Sequence, residues 1–266
     1  MPVQRRGAAV EIAGLRREYI SEQGSVVAID HVDLSVAPGE FLCIVGPSGC
    51  GKSTLLRILA GLDKQTAGTI KVDAAGWAVE NAMVFQESGL FPWMDVETNV
   101  RFGLDTRGVS RAEANLRVEA ALKLVGLSRF RKHYPHQLSG GMRQRSAIAR
   151  AFVTDPGMLL MDEPLAALDA QTRIVLQDEM LRIWGQDRSP SERRTVVFIT
   201  HAIDEAVFLS DRVAVMTAHP GRLKEIVDIP LPRPRGDATR ALPQFQALTQ
   251  QIWSLIRDEA YRAAVA

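Results

Sequence analysis

The sequence has few cysteines, almost no net charge and no long apolar segment. Its two cysteines, Cys43 and Cys50, are too few for a disulfide framework and lack the spacing of a zinc site. We therefore expect a reduced, cytosolic protein. Thirty-two basic and 31 acidic residues give a formal net charge of +1. This balance argues against a dedicated nucleic-acid binder, which usually has a basic excess or stripe.

No apolar run approaches the roughly 20 residues that are needed to cross a bilayer. The longest runs are Phe41–Val45, Met158–Met161 and Val196–Ile199, which have the length of strands. The first six residues contain arginines but no apolar stretch follows them, so we expect no secretory signal. Any contact with a membrane should therefore run through other proteins.

Helical and strand periods alternate along the chain, which predicts an α/β fold. Residues 10–45 predict several antiparallel strands that lead into a buried strand. Residues 96–151 predict helices. Residues 158–162 then predict a buried strand, residues 172–185 an amphipathic helix, and residues 196–216 two strands with a helix between them. The proline-rich stretch Pro230-Leu-Pro-Arg-Pro-Arg235 predicts a stiff linker, and residues 241–263 predict a last amphipathic helix.

The segment Gly46-Pro-Ser-Gly-Cys-Gly-Lys-Ser-Thr54 matches the phosphate-binding pattern G-x-x-x-x-G-K-[ST]. Glycines allow the backbone to turn its N–H groups inward, and the helix that follows adds its positive end. Lys52 should contact the β and γ phosphates, and the Ser53 hydroxyl should face Mg²⁺. A buried strand before the loop and a helix after it strengthen the prediction of an ATP site. Cys50 is best interpreted as a small filler in this loop.

A second candidate feature is an apolar strand that ends in two carboxylates, Asp162 and Glu163. Asp162 has the type and position to hold Mg²⁺ through its water shell. Glu163 would then lie at the γ phosphate, where it could orient and deprotonate the attacking water. An Asp-Glu pair alone is usually structural, so this interpretation depends on the phosphate loop upstream.

The segment Leu138-Ser-Gly-Gly-Met142 resembles the Leu-Ser-Gly-Gly-Gln signature of the ABC ATPases. Other markers of that family follow in order along nearly the whole chain. Gln86 resembles the Q-loop glutamine, Leu165-Ala-Ala-Leu-Asp169 the D-loop, and His201 the switch histidine. Met142 departs from the usual glutamine, but the glycines and the serine carry the phosphate chemistry.

The resemblance implies a fold, a reaction and a set of site residues. The fold is a RecA-like P-loop NTPase with a parallel core sheet, an antiparallel β subdomain, and a helical subdomain (about residues 90–155) between Q-loop and signature. Residues 1–230 would form the ATPase domain and 231–266 a linker and C-terminal helix. The catalytic residues would be Glu163, His201 and Gln86, and the Mg²⁺ ligands Ser53, Gln86 and Asp162. The ATP-binding residues would be Tyr19 at the adenine, Gly46, Pro47, Ser48, Gly49, Cys50, Gly51, Lys52, Ser53 and Thr54, with Ser139, Gly140 and Gly141 reaching ATP on a partner chain.

Three segments resemble the nitrate, sulfonate and taurine importer ATPases more narrowly. They are Gly89-Leu-Phe-Pro-Trp-Met94, Ser210–Arg222 and Leu231-Pro-Arg-Pro-Arg235. The resemblance implies a second ATPase copy or paralogue, two transmembrane permease subunits and a periplasmic or lipid-anchored binding protein as partners. It places the chain on the cytoplasmic face of the inner membrane. Phe91 and Trp93 are candidates for the permease contact, with packing inside the helical region as the alternative.

Several other functions share part of this pattern. An exporter ATPase has the same motifs, although the Pro-Trp and Arg-Pro-Arg segments favour an importer. A non-transport ABC ATPase usually has two cassettes, a coiled-coil insertion or a basic arm, which this sequence lacks. A small kinase or GTPase would lack the signature and His201, and a cassette that only binds nucleotide would not need Glu163. The ATPase subunit of such a system does not contact the transported solute, so its motifs do not distinguish one solute from another.

Overall fold

The computed structural model describes residues 7–22, 24–73 and 81–265, the last six of these by backbone only. The segment on which the prediction of no secretory signal rests, residues 1–6, lies outside them. The strands are β1 (Ala9–Ser21), β2 (Gly24–Val36), β3 (Phe41–Val45), β4 (Ala67–Asp73), β5 (Asn81–Val84), β6 (Met158–Asp162), β7 (Thr195–Ile199), β8 (Arg212–Met216) and β9 (Leu223–Asp228). The helices are α1 (Lys52–Leu59), α2 (Val96–Asp105), α3 (Arg111–Leu124), α4 (Gly140–Val153), α5 (Ala170–Trp184), α6 (Ile203–Leu209), α7 (Asp237–Arg240) and α8 (Pro243–Val265).

The centre of the fold is a six-stranded sheet in the order β5-β6-β7-β3-β8-β9. Every pair in it is parallel except β8 with β9. The strands β3, β6 and β7 are buried along their whole length because both faces of the sheet are covered. The predicted parallel core is thus confirmed.

Alternate residues of each central strand belong to two separate apolar cores. Phe41, Cys43 and Val45 face the core that contains helices α2 to α6 and α8. Leu42 and Ile44 face the other core, which contains α1 and the apolar residues of β1 and β2. This division follows from the period-two alternation of a strand. Both cysteines are buried and free.

The second sheet has three antiparallel strands in the order β2-β1-β4. It confirms the predicted antiparallel β subdomain, although residues 10–36 form two long strands rather than several. Helices α2, α3 and α4 pack on one another and make up the predicted helical region. Among the described residues, no helix is both long and apolar enough to cross a membrane.

The structure differs from the sequence prediction beyond β8. Strand β9 was not predicted, because an edge strand with Lys224 and Glu225 at its centre has only a weak apolar alternation. Helix α8 covers the predicted helix at 241–263 and begins at Pro243, since proline favours the first turn of a helix. The short α7 lies before that segment and was not predicted.

The segment between β9 and α7 is tied closely to helix α6. Arg235 is only 4% exposed, and its guanidinium donates to five backbone carbonyl oxygens. They belong to Val207, Phe208, Ser210, Ile229 and Leu231. Burial lowers the pKa of Arg235 to about 9, so the group is still charged at neutral pH. Arg235 thereby satisfies carbonyls at the end of α6, where the helix leaves them unpaired.

We expect Arg235→Met to destabilise the fold by about 3–5 kcal/mol, because it leaves buried carbonyl oxygens without donors. The free energy of unfolding in urea measures this effect. Arg182→Met is the matched control, since the Arg182 side chain is 63% exposed and pairs with Glu179 on the same helix; it should cost less than about 1 kcal/mol. Equal effects of the two substitutions would contradict the role given to Arg235.

Candidate functional site

The predicted phosphate loop connects the end of β3 to the start of α1. Its glycines adopt positive φ values of 157° at Gly46, 75° at Gly49 and 92° at Gly51. A Cβ on Gly51 would lie 2.7 Å from the Ala28 carbonyl oxygen, so a larger residue does not fit there. Among the described residues other than its two chain neighbours, none has an atom within 4 Å of the corresponding position on Gly49, so the loop is open on that side. The loop therefore has the close-packed glycine backbone that a phosphate group requires.

Lys52 and Ser53 begin helix α1 at the end of this loop. The Lys52 Nζ donates to the carbonyl oxygens of Gly46 at 2.8 Å and Pro47 at 2.7 Å, so the ammonium lies within the curve of the loop. The Ser53 hydroxyl donates to Asp162 Oδ1 at 3.0 Å. A hydroxyl and a carboxylate in contact are oxygen ligands of the kind that Mg²⁺ prefers. These residues fit a Mg–ATP site.

Asp162 ends strand β6, and Glu163 follows it in the left-handed region with φ of 48°. Burial raises the pKa of Asp162, while the Ser53 hydroxyl and the charges of Arg57 and Lys52 act in the opposite direction. Glu163 Oε1 lies 2.5 Å from His201 Nε2, and its Oε2 accepts a long hydrogen bond of 3.4 Å from Gln86 Nε2. Glu163 therefore contacts both of the other predicted catalytic side chains, His201 and Gln86.

One open cavity of about 390 Å³ contains most of the predicted site. From the predicted set, its lining includes Ser48, Gly49, Cys50, Gly51, Lys52, Ser53, Thr54, Gln86, Glu163 and His201. Three further residues line it that sequence reasoning did not single out: Val26, Ala28 and His219. The first two belong to β2, and the loop between β8 and β9 carries His219. His219 lies within the Ser210–Arg222 segment, but that resemblance gave it no role at the site. Only the tertiary fold brings the three residues to the phosphate loop.

Tyr19 does not line this cavity. Its hydroxyl donates to Asp63 Oδ2 at 2.7 Å, and the Arg17 guanidinium lies 4.2 Å from its ring centroid. The ring is 39% exposed. A role at adenine stays a prediction for Tyr19.

The signature residues Ser139, Gly140 and Gly141 are also absent from the lining of the cavity. Ser139 caps α4, and its Oγ accepts from the Met142 N–H at 3.3 Å. Ser139 and Gly140 are exposed, so the positive end of this helix faces outward. Within one chain, the structure does not bring this glycine turn to the phosphate loop.

Helix α4 is nevertheless connected to the cavity through the segment around Gln86. Buried Gln144 donates to the Phe85 carbonyl oxygen at 3.2 Å. Arg150 donates to the carbonyl oxygens of Gly89 at 2.9 Å and Ser88 at 3.3 Å. A movement of α4 would therefore be transmitted to the residues on both sides of Gln86.

Comparison with known sequences assigns the chain to a family. A sequence profile described as ABC transporter matches residues 29–166. The chain belongs to the ABC transporter family. It is an ATP-binding subunit of that family and an ATPase.

Curated relatives resemble the chain over almost its full length. An uncharacterised ABC transporter ATP-binding protein of Methanocaldococcus jannaschii is 46% identical and covers 96% of this chain and 93% of its own. A nitrate import ATP-binding protein of Synechocystis is 42% identical, with 93% of this chain and 95% of the relative covered. An aliphatic sulfonates import ATP-binding protein of Bacillus subtilis is 40% identical, with 92% and 93% covered.

Solved structures of ABC cassettes share the fold. One is the dimer of an ATP-binding cassette in a post-hydrolysis state with ADP and Pi, with a TM-score of 0.72 and 31% identity. Another is a dimeric bacterial ABC transporter cassette, with a TM-score of 0.74 and 30% identity. Both alignments cover 83% of this chain and 98% of the solved one. The ABC ATPase fold that the sequence predicted is confirmed.

We expect Lys52→Ala to weaken ATP binding by about tenfold to a hundredfold, since a charge-assisted contact with phosphate is lost. Binding is measured by calorimetry with Mg–ATP. Lys64→Ala is the control, because Lys64 is an exposed lysine outside the cavity. Unchanged ATP affinity in Lys52→Ala would argue against the assigned role of the loop.

Proposed function

We propose that this ABC ATPase energises an importer, in a dimer that binds and hydrolyses two Mg–ATP. The observation that carries the proposal is the meeting of the phosphate loop, Glu163 and His201 at one cavity, with Asp162 bonded to Ser53 of its lining, while the signature turn lies exposed elsewhere. ATP would be divided between the phosphate loop of one chain and the signature of another.

The predicted phosphate-binding, metal-binding and catalytic residues have roles that follow from their chemistry. The loop amides and Lys52 bind the β and γ phosphates. Bound Mg²⁺, held by Ser53 and Asp162 with Gln86 nearby, would neutralise charge on the phosphates. Glu163 orients and deprotonates water, and His201 contacts the γ phosphate. His201 also holds the Glu163 carboxylate through their 2.5 Å contact.

A head-to-tail dimer explains why the chain has two phosphate-binding glycine turns. Ser139 and the amides of Gly140 and Gly141 lie at the positive end of α4, which suits a γ phosphate bound by the opposite chain. Each ATP would then bridge two subunits, and its hydrolysis would remove that bridge. The dimeric state of the similar solved cassettes supports this arrangement.

We expect Glu163→Gln to bind ATP without hydrolysing it, and to form a stable dimer with Mg–ATP, because the shared γ phosphate persists. Size-exclusion chromatography with light scattering measures the dimer. Adding Ser139→Arg should abolish the dimer while ATP still binds, whereas Ser254→Arg on α8 should leave it intact. A dimer that survives Ser139→Arg, or hydrolysis at the native rate in Glu163→Gln, would contradict the proposal.

The rigid turn formed by residues 91–95, directly before α2, is the proposed contact with the permease. Asn99 is fully buried, and its amide donates to the carbonyl oxygens of Phe91, Met94 and Asp95 and accepts from the Phe91 N–H. Trp93 on this turn is 70% exposed, and its ring lies 5.6 Å from that of Phe91. An aromatic side chain held outward by a buried polar residue is a common anchor in interfaces.

The same turn is connected to the ATP cavity. Arg150 binds the carbonyls of Ser88 and Gly89 and lies 5.6 Å from the Phe91 ring centroid. A permease segment that presses on Trp93 would therefore act on the backbone next to Gln86. This route supports coupling between transport and hydrolysis.

The names of two relatives, for nitrate import and for aliphatic sulfonates import, support an importer of one of these solutes or of a related small anion, such as taurine. Such an importer contains two permease subunits and an external solute-binding protein, and its ATPase lies at the cytoplasmic face of the inner membrane. The exporter remains the alternative, since it uses the same catalytic residues. The nature of the copurifying partners distinguishes the two.

Purification from host membranes in mild detergent should recover two permease copies and a binding protein, identified by mass spectrometry. We expect Trp93→Ala to lose most of the permease and to keep the ATPase rate of the isolated chain. Trp253→Ala, which removes an exposed tryptophan of α8, is the matched control. A permease recovered without a binding protein would favour an exporter, and unchanged recovery with Trp93→Ala would exclude this turn as the contact.

A further inference from the structure

A chain of hydrogen bonds connects the turn that carries His201 to the C-terminal part of the protein. It begins at Thr200, the residue between β7 and His201, and continues through Glu205 of α6 and Gln177 of α5. It ends at Arg240 of α7. Of these four residues, none was singled out from the sequence.

The first two contacts determine the shape of the turn at His201. The Thr200 Oγ1 accepts from the Ala202 N–H at 3.0 Å and donates its own proton to Glu205 Oε2. Thr200 is 3% exposed and Glu205 is 4% exposed. His201 lies between Thr200 and Ala202, which this hydroxyl joins. The direction of the His201 backbone therefore depends on where the Glu205 carboxylate holds the hydroxyl.

The next two contacts hold Glu205. Its Oε1 accepts from Gln177 Nε2 at 3.0 Å, and Gln177 Oε1 accepts from Arg240 Nη2 at 2.8 Å. Gln177 is 3% exposed. Its amide thus has a single orientation that satisfies both neighbours, with the nitrogen towards Glu205 and the oxygen towards Arg240. The Arg240 guanidinium, which can only donate, holds the amide in that orientation together with Glu205.

Arg240 is itself fixed by helix α6. Its guanidinium carbon lies 3.5 Å from the centroid of the Phe208 ring. This cation–π contact joins α7 to the same short helix that carries Glu205. The carboxylate of Glu205 accepts one donor on each oxygen, and burial raises its pKa. A buried carboxylate that loses a donor is costly, so the chain acts as a unit.

We propose that Glu205, Gln177 and Arg240 are positioning residues that hold His201 against Glu163, so that the C-terminal segment contributes to hydrolysis from outside the cavity. The proposal rests on the proposed role of His201. It predicts that loss of Arg240 slows the chemical step and leaves ATP binding almost unchanged. A purely structural role would instead lower the stability of the whole fold.

Arg240→Ala is the main variant, and Gln177→Met removes the same connection with little change in volume. We expect kcat to fall about tenfold in each, with KM for ATP changed less than about twofold, because a misplaced catalytic group affects the transition state more than binding. Arg182→Ala is the control, since it removes an exposed arginine from the helix that carries Gln177.

Hydrogen exchange gives a readout that does not depend on activity. Without ATP, amides of residues 200–206 should exchange at least about threefold faster in Arg240→Ala, while those of strand β8 stay protected. Faster exchange throughout the chain would mean general destabilisation and would overturn the proposal. Unchanged exchange in residues 200–206 would overturn it as well.

A double-mutant cycle with His201→Ala completes the test, with rates measured in single turnover. If Arg240 acts through His201, Arg240→Ala should cause no further loss in the His201→Ala background. Equal losses in both backgrounds would overturn the proposal. A native rate in His201→Ala alone would instead refute the role of His201, and the exchange data would still show whether Arg240 holds the turn.

Discussion

The parallel pairing of three adjacent strands determines the whole site. In the sheet order β6-β7-β3, the strands end side by side, with Ile199 paired both to Ile44 of β3 and to Asp162 of β6. The phosphate loop, the acidic pair and His201 each follow one of these ends. Because carboxyl ends of parallel strands meet at one edge, residues more than 150 positions apart in the sequence become neighbours. Any slip in this pairing would separate the nucleotide-binding loop from the groups that act on it.

The backbone at Glu163 shows how this edge is adjusted for chemistry. Its φ of 48° is unfavourable for a residue with a side chain, and the Glu163 N–H donates to the Ile199 carbonyl oxygen at 3.0 Å. That bond extends the ladder between β6 and β7 by one residue. The conformation then turns the carboxylate towards His201 instead of continuing the strand. Strain of this kind persists only where neighbours enforce it, which is usual at functional sites.

Sequence reasoning found the parts of the site that are coded locally. The phosphate loop and the acidic strand end are contiguous motifs with their own chemistry, and they predicted the parallel core correctly. Sequence reasoning missed the contacts between residues that lie far apart in the sequence. Arg240 and Gln177 are separated by 63 positions, and His219 reaches the cavity only because β8 and β9 form a hairpin. Edge strand β9 was missed because one exposed face dilutes its apolar pattern.

The Arg-Pro-Arg segment illustrates the difference between a family marker and its physical role. As a sequence it resembles a segment of the importer ATPases and predicts a stiff linker. In the structure Arg235 is buried against carbonyls of α6, and Arg233 donates to Asp211 Oδ1 and to the Leu209 carbonyl oxygen. Both arginines therefore stabilise the end of the helix that follows His201. The structural role of the segment is therefore to fix the end of α6, and only its sequence resembles the importer ATPases. The proposed contact with a permease depends instead on the turn that carries the exposed Trp93.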